Sequence, residues 1–266
     1  MPNMRIDIVT VFPGMFAGFV GESMMARAIA QGILSITVHD LRDYTDDPHR
    51  SVDDTPFGGG GGMILMAEPI ARAVESLQTA ANGSAPAAII VPTARGKKFD
   101  QQMADTLASY SRLVFVCGHY TGIDERVFEY FNPLRLAIGD YVLTGGELPV
   151  MVIVDAVARR IPGFLGNDES GKEDSFVIDG LGAAQYTRPQ TWRGREVPPV
   201  LISGHHANVR AWRRDDAHAT TRRFRPELLQ ATPGDNAQVI SENEKIENNA
   251  ASRPPDHIEN EETAHG

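Results

Sequence analysis

A chain of 266 residues, 42% hydrophobic and 23% charged, has room for one large globular domain or two modest ones. Its single cysteine, Cys117, excludes disulfides within the chain and cysteine-cluster metal sites, and suits a reducing compartment. The net charge of −10 speaks against a nucleic-acid partner when the chain is taken as a whole.

The first residues, MPNMRIDIVTVFPGMF, lack the long apolar core of a signal peptide. No stretch approaches the roughly 20 apolar residues of a membrane span, so a soluble cytoplasmic protein is expected. Strand-like apolar runs follow at 6–12, 33–39, 87–91, 113–117 and 134–138. Helical patterns at 23–30, 68–79, 100–110 and 124–131 lie between them. Such alternation implies a parallel sheet covered by helices on both faces. Residues 146–161 read as one helix, with Glu147 and Pro149 in its first turn and a stripe of Val150, Ile153, Val154 and Val157, stopped by Pro162-Gly163. Residues 165–173 (LGNDESGKE) read as a linker. Beyond it one helix is expected near 206–216 and another from Pro226, and residues from 232 on have the composition of a disordered tail.

Charge is unevenly spread. Residues 231–266 hold eight acids and two basic residues, whereas residues 188–225 hold nine arginines and three acids. A local basic face governs phosphate binding more than the chain total does.

The motif "DDTPFGGGGGMIL" (53–65) places five glycines in a row. It is either a floppy connector or a loop whose bare backbone lies against a ligand. A P-loop needs lysine and Ser or Thr after its last glycine, but Gly62 precedes Met63, Ile64 and Leu65. The dinucleotide fingerprint fails at the same residues, and neither G-x-S-x-G nor H-E-x-x-H occurs. The acids Asp43, Asp46, Asp47, Asp53 and Asp54 lack calcium-loop spacing and read as solvated. Glycine clusters also close two strands, "CGHYTG" (117–122) and "IGDYVLTGGELP" (138–149). In open parallel sheets ligands bind at such strand ends.

"IGDYVLTGGELPVMVIVDAVAR", with "VDDTPFGGGGGM", "GIDERV", "IPGFLG", "EDSF", "YTRP" and "EVPPVLISGHHANVRAWR", resembles the bacterial tRNA (guanine-N1)-methyltransferases of the SPOUT class, from residue 4 to about 230. The resemblance implies an α/β parallel sheet with a deep trefoil knot (1–164), a flexible linker (165–173), a small helical tRNA-binding domain (174–231) and a tail (232–266) outside the match. It implies a homodimer that transfers a methyl group from S-adenosylmethionine to N1 of guanosine at tRNA position 37, with no DNA or membrane partner. Magnesium is a family expectation only, with no metal ligands assigned. By motif match, Gly118, Ile138, Gly139, Asp140, Tyr141, Val142, Leu143, Gly145 and Gly146 hold the donor. Gly59, Gly60, Thr121, Ser175 and Arg188 face the substrate. Asp174 of "EDSF" is the general base, acting across the dimer, and Arg159 of "DAVAR" faces guanine O6. Without the resemblance, Asp174 reads as a helix cap and Arg159 as an i, i+4 partner of Asp155. The family pattern has Arg and Glu where this chain has His119 and Thr121, so a catalytically weakened RNA-binding relative is the alternative reading.

Overall fold

The computed structural model describes residues 3–79, 87–166, 174–177 and 180–229. The chain falls into two compact units, Met1–Ile178 and Asp179–Gly266. In the first, β1 (Met4–Thr10) leads through α1 (Ala17–Gly21) and α2 (Ser23–Ala30) to β2 (Leu34–Asp40). A small hairpin, β3 (Asp53–Asp54) and β4 (Ile64–Leu65), precedes α3 (Ala67–Thr79). Then come β5 (Ala88–Lys98), α4 (Gln101–Ala108), β6 (Arg112–Val116), α5 (Glu125–Phe131), β7 (Leu134–Ala137) and α6 (Glu147–Ala158).

Five strands form one sheet in the order β2-β1-β6-β5-β7, and every pairing in it is parallel. The apolar runs have their cause here, because strands covered on both faces need side chains that tolerate burial on both sides. Ile6, Ile8, Leu113 and Phe115 pack with α2, α4 and α6. Val9, Val114 and Val116 pack on the other face with α3 and α5. Asp100 and Asp124 start α4 and α5 by accepting the backbone N–H of Met103 and Arg126, each at 2.9 Å. The left-handed Asn132 ends α5.

Most boundaries shift by one or two residues from the sequence reading, and three differences are larger. β5 continues past residue 91 to Lys98, through a segment (PTARGKK) with no apolar alternation. It pairs with β7 twice, Pro92 and Lys97 both lying opposite Leu136, so residues 93–96 project as a hook. At its base, a Cβ on Gly96 would sit 2.5 Å from the backbone N of Leu136, which only glycine allows. α6 ends at Ala158, with Arg159 as its C-cap. The hairpin β3–β4 was unread because two-residue strands carry no periodicity. Of the expected linker, residues 167–173 lie outside the described residues, as does the chain from 230 on.

The second unit holds the hairpin β8 (Thr191–Trp192) and β9 (Arg195–Glu196), followed by α7 (His206–Phe224). α7 runs eight residues beyond the expected 216, and a 3-10 helix begins at Pro226, where the second helix was expected, and is described to Leu229. Its last turns carry no apolar stripe. They are held by polar contacts instead: buried Thr221 donates to the Ala217 carbonyl at 2.7 Å and accepts the Leu181 N–H at 2.9 Å.

Candidate active site

The glycine run is the tip of the β3–β4 hairpin. Gly58, Gly59, Gly60 and Gly62 have φ of +88°, +78°, +121° and +93°, where L side chains are strained. A Cβ at 58, 59, 60 or 61 would meet nothing within 4 Å, so the loop borders open space. Its far flank is fixed to the 117–122 loop. Thr121 gives both its N–H (3.0 Å) and its hydroxyl (2.5 Å) to the Met63 carbonyl, and Leu65 N–H donates to Gly122 O at 3.0 Å. Gly59, Gly60 and Thr121 are thereby brought to one region, and Thr121 spends its hydroxyl on the hairpin.

The same loop meets the segment before α6. Gly146 N–H donates to Gly118 O at 2.7 Å, and His119 bridges to Gly145. A Cβ on Gly146 would stand 2.8 Å from Cys117 Cα and 2.9 Å from Gly118 N. The two loops meet backbone to backbone. In the other direction Tyr141 folds over Gly139, where a Cβ would lie 2.3 Å from its ring, and its hydroxyl donates to Ile138 O at 3.3 Å. Asp140, Tyr141, Val142 and Leu143 are exposed, Val142 at 88%. Gly118, Gly145 and Gly146 therefore meet as a glycine-lined rim beyond the end of β6, and Ile138–Leu143 form the largely exposed stretch that leads from β7 to it.

Asp174 and Arg159 are neighbours. Arg159 Nη2 donates to Asp174 Oδ2 at 2.5 Å, although Asp155 lies one turn back on the same helix. Asp174 opens a turn, with Val177 N–H donating to its carbonyl at 3.2 Å. Both side chains are half exposed and line a cavity of about 690 Å³ with Asp155, Arg160, Ser175 and Val177. Ser175 thus joins the pair. Arg188 lies exposed in the second unit.

One group was read in the sequence only as a first-turn helix residue. Glu147 is 1% exposed, and its Oε1 accepts from Thr10 Oγ1 at 2.7 Å. The available signal was an acid heading a largely apolar helix directly after two glycines. Burial pushes the nearby Cys117 thiol well above its ordinary range, and the Glu147 charge adds to the effect. Among the described residues, no three His, Cys, Asp or Glu side chains gather as a metal would require, and no helix is long and apolar enough to cross a membrane.

Glycine-lined clefts at the strand ends of a parallel sheet are where open α/β enzymes take their ligands, and the carboxylate–guanidinium pair adds acid–base chemistry. The profile of the tRNA (guanine-1)-methyltransferase TrmD family matches residues 4–231. A tRNA (guanine-N(1)-)-methyltransferase of Moorella thermoacetica is 49% identical over 226 residues, covering 85% of this chain and 90% of the relative. The Geobacter sulfurreducens protein of the same description is 50% identical over 227 residues, covering 85% and 91%. That of Chloroflexus aggregans is 48% identical over 226 residues, covering 85% and 88%. The chain belongs to this family and is, by that membership, a tRNA (guanine-N1)-methyltransferase.

Proposed function

We propose that the chain methylates N1 of guanosine 37 in tRNA as a homodimer, with S-adenosylmethionine as donor and a SPOUT-type knot in the first unit. The observation that carries this reading is the Asp174–Arg159 pair. Guanine presents an N1–H donor beside its O6 acceptor. A carboxylate beside a guanidinium offers the complementary acceptor and donor. Asp174 takes the N1 proton as general base, and Arg159 stabilises the negative charge that then spreads to O6. A guanidinium has five N–H donors, so Arg159 can hold Asp174 and O6 together.

The glycine rim suits the donor. Gly146 lets the two loops meet backbone to backbone, and Gly118, Ile138–Leu143, Gly145 and Gly146 would hold a flat adenine against that main chain. When bound, adenosylmethionine supplies an electrophilic methyl group. Gly59 and Gly60 leave room for an extruded base, whose unstacking is cheaper in an anticodon loop than in a duplex. Arginines between 188 and 225, Arg188 among them, would grip phosphates, which positions the tRNA without reading its sequence.

A distance supports the dimer. The rim lies at the N-terminal end of α6 and the Asp174–Arg159 pair at its C-terminal end. Twelve residues at about 1.5 Å each separate them by about 18 Å, too far for one methyl transfer. Leu148 and Val152, on the intervening α6 surface, are 48% and 49% exposed. A two-fold contact across them would carry one subunit's pair toward its partner's rim.

Asp174→Asn should bind adenosylmethionine and tRNA nearly normally yet lose about 10²-fold or more in single-turnover transfer, read by mass spectrometry of the tRNA. Mixing this chain with Arg159→Ala should rescue nothing, since base and arginine come from one subunit. Mixing it with Gly118→Val should restore one site per heterodimer. A Cβ at 118 meets only Ile123, at 3.5 Å, so that chain folds with its donor cleft blocked. Wild-type rates in Asp174→Asn sink the base assignment; no rescue in proven Gly118→Val heterodimers sinks the shared site.

A further inference from the structure

Glu147 is a buried acid that the transfer chemistry leaves without a task. Around it runs a closed circuit. Its Oε1 accepts from Thr10 Oγ1 at 2.7 Å, and Thr10 Oγ1 accepts the Phe12 N–H at 2.9 Å. The Phe12 ring meets the His119 ring edge-on, with centroids 4.7 Å apart. His119 Nδ1 then faces Glu147 Oε2 at 3.9 Å, which closes the circuit. That nitrogen is buried and has no hydrogen-bond partner. Gly145 fills the middle, where a Cβ would lie 2.3 Å from Oε2 and 2.6 Å from Nδ1. Only glycine lets acid and imidazole face each other.

The place of the circuit gives it a use. His119 follows Gly118, and Glu147 follows Gly145 and Gly146, so the two side chains hang from opposite lips of the rim. A hydrogen bond between them requires an approach of about 1 Å. Because His119 is continuous with Gly118, that approach moves the lips together. We infer that Glu147 is a positioning residue for the methyl donor: through His119 it sets the gap between the 117–122 loop and the Gly145–Gly146 turn. The inference rests on the reading that these loops hold adenosylmethionine.

Glu147→Gln keeps an oxygen for Thr10 and the same shape. Its amide can lose the strong acceptor facing Nδ1, which favours a different tautomer or ring orientation for His119. His119→Phe keeps an aromatic ring against Phe12 and Tyr120 but removes the nitrogen. The double-mutant cycle is read by calorimetric titration of adenosylmethionine. Glu147→Gln should weaken donor binding about 10-fold in the wild-type background and less than about 2-fold in the His119→Phe background. Transfer at saturating donor should stay within about 3-fold of wild type, because the pair that handles guanine is untouched. Nitrogen-15 spectra should find His119 Nδ1 protonated in the wild type and not in Glu147→Gln. Equal losses in both backgrounds, a lowered melting temperature with unchanged donor binding, or an unprotonated Nδ1 in the wild type would each overturn the inference. A wild-type protein that takes up no adenosylmethionine would instead remove the donor-loop reading, and this inference with it.

Discussion

Replacing Gly146 by alanine adds one carbon at the closest approach of the two loops. The position has φ −80° and ψ −10°, which alanine adopts freely, so in open space the change would stabilise by about 0.4–1 kcal/mol. Space is what it lacks. The new Cβ would stand 2.8 Å from Cys117 Cα, 2.9 Å from Gly118 N and 3.2 Å from Cys117 C. Carbon contacts are comfortable at about 3.5–4.0 Å, so roughly 0.7 Å or more must come from movement. All three neighbours are backbone, and no rotamer change relieves them. Overpacking of this kind costs about 1–3 kcal/mol. Forcing the loops apart also strains the 2.7 Å bond from Gly146 N–H to Gly118 O, a further ~0.5–1.5 kcal/mol. After the backbone gain is subtracted the expected net loss is about 0.5–4 kcal/mol, which at about 2–4 °C per kcal/mol for a unit of this size lowers Tm by roughly 1–16 °C. Far-ultraviolet circular dichroism is the suitable probe. Both tryptophans, Trp192 and Trp212, lie in the second unit, so indole fluorescence would follow the wrong one. A Tm within about 1 °C of wild type would show that the loops do not meet as described.

The glycine run should tolerate change unevenly: Gly60→Ala, at φ +121°, should lower stability or turnover measurably, whereas Gly61→Ala, without a positive φ and with nothing nearby, should melt at or slightly above the wild-type temperature. Cys117 is buried and its thiol pKa is raised, so native protein at pH 8 should resist a thiol reagent that labels one equivalent in denaturant; fast native labelling would refute its burial. Burial raises the Asp7 pKa, but hydrogen bonds from His39 and Arg5 outweigh it and the net shift is downward. A depressed folded pKa gives stability that is present above the unfolded value of about 3.9 and lost as pH falls through the folded one. Asp7→Asn should therefore cost about 3 kcal/mol at pH 7 in urea titrations, with the gap to wild type narrowing below about pH 4; a constant gap would refute the charge argument.

The sheet was legible in the sequence because its strands are buried on both faces and must be apolar throughout, as in RLVFV of β6. α6 was legible from its stripe and its Pro-Gly stop. The hook at 93–96 was not, since its shape comes from a second pairing with β7 that leaves no local trace. The last turns of α7 escaped because Thr221 and Ala217 hold them without an apolar stripe. Single candidate site residues could be named only through the resemblance: nothing in the sequence pairs Asp174 with Arg159, which the structure places at 2.5 Å. The Glu147–His119 juxtaposition needed coordinates, because Thr10, His119 and Glu147 come from three separate segments.

The strand order also bears on how the chain is made. β6 lies between β1 and β5, so one edge of β1 waits for Arg112 to pair beside Arg5, 107 residues later. Translation proceeds at about 5–20 residues per second, so the ribosome needs roughly 5–20 s to supply that neighbour. During that time a strand containing Ile6, Ile8 and Val9 has an open edge in the nascent chain. Slower elongation before residue 112 would lengthen the exposure, and the yield of folded protein should then depend on the speed of synthesis and on chaperones that cover emerging strands.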